Sequence, residues 1–143
     1  MKLSHITLAA LAFAFSACAS GGMTDTEKLA LYRAHALAPV PSFHYLGRID
    51  GWTPLGDTAV AVWTRPNVAY LLEVDGPCPD LDFASAIGLT NQSGTVYSRF
   101  DKVIPRTHGG ANPIPCHIGQ IRPLDVKAIK SAEKDMRRQR DNG

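Results

Sequence analysis

A small domain of the α+β class, mostly β, is the fold this sequence predicts: about six antiparallel strands curled into a small barrel or strongly bent sheet, with a helix at each end. Three observations carry that expectation. From Phe43 onward apolar residues recur with a period of two, in short β-branched or aromatic runs. Those runs are separated by Gly, Pro, Asn and Asp, the residues that turn a chain back on itself. On either side of the region the apolar period lengthens to that of a helix.

Thr24-Asp25-Thr26-Glu27 has the spacing of a capping box, with a hydroxyl to cap the first turn and a Glu to reach back. Leu29, Tyr32 and Ala36 follow on one helical face, so a helix is predicted over 25–36, ending before Pro39 and Pro41. The first strand sets Phe43, Tyr45, Gly47 and Ile49 on one face and His44, Leu46 and Arg48 on the other. Residues 51–57 read as a connecting loop. The clearest hairpin joins 58–64 to 68–74 through Arg65-Pro66-Asn67, where proline presets φ and asparagine tolerates a tight turn. Both faces of 58–64 are apolar, which makes that strand central. A Gly/Pro-rich corner over 75–81 carries Cys78 and leads into a short irregular stretch, 82–85. A second hairpin is predicted from 86–90 and 95–101 about Asn91-Gln92-Ser93-Gly94. Residues 105–115, with three prolines and two glycines, read as an exposed and mobile loop before a last strand over 116–121. The final helix is predicted from Val126 to about Arg138, capped by Asp125 and burying Val126, Ile129, Ala132 and Met136.

Ahead of these elements Lys2 precedes an apolar stretch, 6–17, interrupted only by Thr7 and Ser16. It is shorter than the roughly 20 apolar residues that span a bilayer and has the charged, apolar and small-residue regions of a secretory signal. The run Phe15-Ser16-Ala17-Cys18 resembles a bacterial lipobox, with Phe15 where Leu is usual. That resemblance implies cleavage before Cys18 and acyl chains on its sulfur, and Ala19 rather than Asp behind it points to the outer membrane. The expected organisation is a signal peptide over 1–17, a lipid-anchored spacer over 18–23, one domain over 24–138 and a disordered tail over 139–143. Lipidation of Cys18 leaves Cys78 and Cys116 as an even pair in an oxidising compartment, where they are expected to bond. Closing that loop stabilises the fold by about 4 kcal/mol in the chain-entropy picture.

The chain carries 15 basic and 13 acidic side chains, a formal net charge of +2. A balance so close to neutral argues against nucleic acid as a partner. The charges are nevertheless uneven: residues 122–143 hold seven Lys or Arg against four Asp or Glu, and 18–121 hold seven against nine. Lys130, Lys134, Arg137, Arg138 and Arg140 read either as a solvated helix end complementing the dipole or as a contact for anionic headgroups or a polyanionic envelope polymer.

No Gly-x-Ser-x-Gly, Ser-x-x-Lys, HExxH or phosphate-binding glycine loop is present, so no enzyme and no cofactor is expected. His44 and His117 come nearest to a metal pair, and Asp75, Asp80 and Asp82 crowd the corner at Cys78. Neither set has the ligand spacing of a zinc or EF-hand site, and no metal is assigned. Trp63 alternates inside a strand as a core residue. Trp52 follows Gly51 in the expected loop; it either closes one end of the barrel or lines a binding cleft with Arg48, His44 and Asp57. Arg106 and His108 in the long loop form the other candidate binding surface.

The run Gly51-Trp52-Thr53-Pro54-Leu55-Gly56-Asp57, then Tyr70-Leu71-Leu72, Gly76-Pro77-Cys78-Pro79-Asp80-Leu81, Ile87-Gly88-Leu89, Arg99-Phe100-Asp101 and Cys116-His117-Ile118-Gly119-Gln120-Ile121-Arg122 resemble a family of small Gram-negative lipoproteins known only as a domain of unknown function. The resemblance implies an extracytoplasmic protein with paired cysteines and supplies no activity. Ser93-Gly94-Thr95-Val96-Tyr97 is also similar to the Ser-Gly-x-x-Tyr loop of periplasmic lysozyme inhibitors. The function expected is therefore a lipid-anchored cell-envelope module, facing the periplasm, that binds or organises another component. Its partners would be the membrane, through the N-terminal lipid, and an envelope protein or polymer. The alternatives are an inhibitor of an envelope-active hydrolase such as lysozyme and a small periplasmic enzyme whose site is assembled from distant residues.

Overall fold

Helix α1 (Asp25–Ala34) opens at the expected capping box. The Glu27 N–H donates to Thr24 Oγ1 at 3.2 Å and the Thr24 N–H to Glu27 Oε2 at 2.7 Å, so two otherwise orphaned donors are satisfied. The structure, a computed structural model, describes residues 22–110 and 112–143; the leader and the lipidation expected at Cys18 lie outside them. After α1 come β1 (Ser42–His44), β2 (Gly51–Pro54), β3 (Ala59–Arg65), β4 (Val68–Val74), β5 (Ala86–Leu89), β6 (Thr95–Tyr97), β7 (Lys102–Arg106), β8 (Cys116–Pro123) and α2 (Val126–Asp141).

Six strands form one antiparallel sheet in the order β2-β3-β4-β8-β7-β5, curled into a nearly closed barrel, and β1 pairs with β6 beside it. The fold is thus the mostly β domain with a helix at each end that the sequence predicts. The period of two divides β3 and β4 between two cores. Val60, Val62, Leu72 and Val74 face the barrel interior with Phe43, Leu81, Val96, Val103, Ile118 and Ile121. Ala59, Ala61, Ala69 and Leu71 face outward, where α1 and α2 cover them through Tyr32, Val126 and Ile129. Three alanines on that outer face let the helices approach closely, and Tyr32 meets Trp63 edge to face at 6.2 Å. A strand buried on both faces reads as a continuous apolar run, as 59–63 does.

Ile118 and Ile121 share a face although three positions separate them, because the β4–β8 register shifts between Glu73 and Val74. Gly119 sits at this irregularity, and a Cβ there would collide with the Asp75 carboxylate. The Cys78–Cys116 disulfide forms, with Cα atoms 5.8 Å apart, and ties the corner after β4 to the start of β8.

Several local expectations are corrected. The first strand stops at His44, because Gly47 takes φ +82° and the chain leaves the ladder, although Tyr45 and Ile49 still reach the interior core. Residues 51–54 are the edge strand β2, not loop; Pro54 is accommodated at the end of an edge strand, where no further ladder partner is needed. The segments 86–90 and 95–101 do not form a hairpin: β5 pairs with β7, and β6 pairs with β1. The expected loop begins later than 105, because Pro105 and Arg106 belong to β7. Pro105 fits since β8 pairs only with Lys102 and Val103, leaving the end of β7 one neighbour, β5. Helix α1 ends at Ala34, two residues early, and Ala36 pairs instead with Leu124. Helix α2 runs to Asp141 rather than Arg138, so the first three residues of the expected disordered tail are helical; Gln139 and Arg140 are good helix formers and no breaker precedes Gly143.

Candidate functional site

An open cleft of about 550 Å³ lies where the irregular segment 44–50 passes the turn end of the β3–β4 hairpin. His44, Leu46, Arg48 and Asp50 form one wall, Thr64 and Arg65 come from the end of β3, and Val68 and Tyr70 come from the start of β4. Its volume falls within the usual few hundred Å³ of small-molecule sites.

Each wall has a local cause. The left-handed φ of Gly47 turns the chain so that Leu46 and Arg48 extend outward; Leu46 is 84% exposed. The segment is pinned at both ends, by the Tyr45 N–H donating to the Gly94 carbonyl at 2.7 Å and the Asp50 N–H donating to the Trp63 carbonyl at 2.7 Å. A register shift between Trp63 and Arg65 forms the opposite wall, and such bulges re-aim side chains. Tyr70 is half-buried and stacks on Phe43 at 4.4 Å, which anchors one ring in the interior core.

The charge in this cleft is unbalanced. Arg48 and Arg65 face a single carboxylate, Asp50, and among the described residues the Arg48 and Arg65 guanidinium groups make no hydrogen bond or ion pair. Arg33 and Arg122, by contrast, are engaged: Arg33 holds Glu73 with Nη2 at 2.6 Å, and Arg122 donates to the carbonyls of Ala36 and Leu37, each at 2.9 Å. Two uncommitted guanidinium groups beside an aromatic ring can take a planar anionic group bidentately, with the ring as an apolar surface.

Of the residues the sequence singles out, the fold brings His44 and Arg48 together in the cleft. Trp52 does not join them: it lies in β2 opposite Val62 of β3 and packs on the interior core. Asp57 lines a separate depression with Asp25, Leu29 and Arg33 of α1. Arg106 and His108 are exposed and are not among the cleft residues. His44 and His117 lie in different sheets, and among the described residues no three His, Cys, Asp or Glu side chains are grouped to hold a metal ion. Arg65, Tyr70 and Asp50 escaped the sequence reading; the one available signal was an arginine ending an otherwise apolar strand.

Two further polar features stand out. Asp101 is the one charged residue buried to 1% exposure among the described residues. Its Oδ1 accepts from the Thr90 hydroxyl at 2.7 Å and its Oδ2 from the Tyr97 N–H at 2.8 Å. Asp82 approaches Asp25 and Asp57, and its pKa is raised by desolvation first and then by those two carboxylates. Two turns further along α1, Tyr32 donates to Glu133 Oε1 at 3.2 Å, and burial followed by the Glu133 charge pushes its phenol up to about 12.

The chain belongs to a family of unknown function (DUF6491), whose model matches residues 1–140. No curated protein matches the chain, and no solved structure matches it.

Proposed function

We propose that this chain is a lipid-anchored cell-envelope protein that acts as a binding module, with the cleft at Arg48, Arg65 and Tyr70 as its ligand site. The anchor reading draws on Lys2, the apolar run 6–17 and the lipobox-like Phe15-Ser16-Ala17-Cys18, and it puts the domain on the periplasmic side of the outer membrane. The binding reading draws on one observation above all: a cleft of about 550 Å³ whose two arginines lack any protein partner among the described residues. An uncommitted guanidinium pair beside a fixed ring suits recognition more than stability, since exposed cations add little to folding.

Two measurements test it. Palmitate labelling and membrane fractionation of the wild type and Cys18→Ser should show label and membrane retention only in the former; unchanged labelling removes the anchor reading. Capture from solubilised envelopes should recover a partner with the wild type and lose it with Arg48→Glu/Arg65→Glu. Equal recovery by both proteins discards the cleft.

A second reading, inhibition of an envelope hydrolase, is supported by Tyr97 and Phe100, which are 41% and 67% exposed and border a shallow depression with Gln92 and Ser98. Ser93 and Gly94 form the tight turn just before them, at φ +49° and +82°. Lysozyme turnover at saturating protein decides it, and an unchanged rate removes this reading.

A further inference from the structure

Helix α2 separates its charges sharply. At about 100° per residue, Lys127, Lys130, Lys134, Arg137 and Arg138 fall within one arc of roughly 100°. All five are exposed, whereas Val126 and Ile129 point into the core and Glu133 turns inward to accept from Tyr32. Asp135 lies outside that arc, and Asp141 is the single acidic side chain within it, at the helix's last residue. Lys130 reaches the Pro66 carbonyl at 3.3 Å and Asn67 Oδ1 at 3.4 Å; Lys127, Lys134, Arg137 and Arg138 have no partner among the described residues.

The helix apolar face is already spent on the core, so this stripe can act only through charge. Its position supplies the counterpart. Gly22, Met23, Thr24 and Glu27 share a depression with Met136, Gln139 and Arg140, so the chain enters the domain against the C-terminal end of α2. Four residue steps separate Cys18 from Gly22, a reach of at most about 14 Å. Acyl chains on Cys18 would therefore hold Gly22, which lies beside the C-terminal end of α2, within that distance of the headgroup layer.

We infer that the basic stripe of α2 docks on anionic phospholipid headgroups of the leaflet that holds the anchor, an inference that rests on the lipid-anchor reading. The docking turns a flexible tether into a defined orientation of the domain. Each Lys or Arg near an anionic surface contributes about a fivefold gain in partition. Replacing three of them with Glu lowers binding by about a hundredfold or more.

The domain over 22–143 contains every residue of both cores, from Tyr32 to Ile129, so it serves as the unlipidated probe. Flotation with vesicles of phosphatidylcholine, or of phosphatidylcholine with one third phosphatidylglycerol, should show binding to the anionic vesicles alone. Binding should disappear at 1 M salt, where the screening length falls to about 3 Å. Lys134→Glu/Arg137→Glu/Arg138→Glu should lose it, and Lys134→Gln/Arg137→Gln should lose part of it, with far-ultraviolet circular dichroism unchanged in both. Equal binding to the two vesicle types, full binding by the triple variant, or sedimentation with purified peptidoglycan but not with anionic vesicles overturns the inference. The palmitate-labelling experiment judges the anchor separately, so failure of one is distinguishable from failure of the other.

Discussion

Replacing Asp101 tests the account of how this barrel is wired. Its carboxylate accepts from the Thr90 hydroxyl, at the end of β5, and from the Tyr97 N–H, at the end of β6, while the Thr90 oxygen accepts from the Lys102 N–H of β7 at 2.8 Å. The residue sits at 1% exposure, so water cannot replace these contacts. A hydrogen bond to a charged group contributes about 1.5–3 kcal/mol, and Asp101→Ala loses two while leaving the Tyr97 N–H unpaired, so the expected cost is about 3–5 kcal/mol. Against a total stability of about 5–15 kcal/mol that is a large fraction. For a domain of this size it lowers Tm by about 10–20 °C. Asp101→Asn keeps one acceptor and should cost about 1–2 kcal/mol. Urea unfolding of wild type, Asp101→Ala, Thr90→Val and the double variant, read at constant m, gives the coupling directly; it should be about 1.5–3 kcal/mol. A cost below about 1 kcal/mol for Asp101→Ala, or additive effects in the cycle, would refute the claim that this carboxylate links β5, β6 and β7.

Breaking the Cys78–Cys116 bond, which spans 38 residues, should lower stability by about 4 kcal/mol, seen as an earlier urea midpoint under reductant; an unmoved midpoint contradicts it. Tyr32 holds its proton up to about 12 in the folded state, against about 10 when unfolded, so its contribution is complete below pH 10 and is lost as pH rises toward 12. Tyr32→Phe should flatten that part of the stability–pH curve, and an ultraviolet titration should show an ionisation near pH 12 in the wild type that the variant lacks. Asp82 has a raised pKa, so the folded state favours its protonated form and its charge opposes folding at neutral pH. Asp82→Asn should therefore raise Tm at pH 7, with the gain shrinking as pH falls through the carboxylate range; a gain that persists in acid would locate its origin elsewhere.

The features legible in the sequence are those whose causes are local. The capping box at Thr24, the cap at Asp125 and the β3–β4 hairpin about Pro66-Asn67 each depend on residues within a few positions of one another, and each is present in the fold. The continuous apolar run over 59–63 likewise required that both faces of β3 be covered, because a strand without a polar face has no side to give to water. The pairing of Cys78 with Cys116 followed from the count of thiols left after lipidation was assigned to Cys18.

Tertiary structure decided which strands meet. Ala86–Leu89 and Thr95–Tyr97 are joined by a good turn sequence, and nothing within that stretch forbids a hairpin. The fold pairs β5 with β7 and β6 with β1 instead, and in that arrangement the buried Asp101 carboxylate accepts from both Thr90 and Tyr97. The cleft has the same character. His44 and Arg48 could be suspected from alternation along their own segment, but Arg65 and Tyr70 come from a hairpin some twenty residues away, brought close by a bulge and a glycine turn. A one-dimensional pattern carries periodicity and local turn chemistry. Long-range pairing is instead chosen by whichever arrangement leaves no buried polar group unsatisfied, and that depends on the whole chain at once.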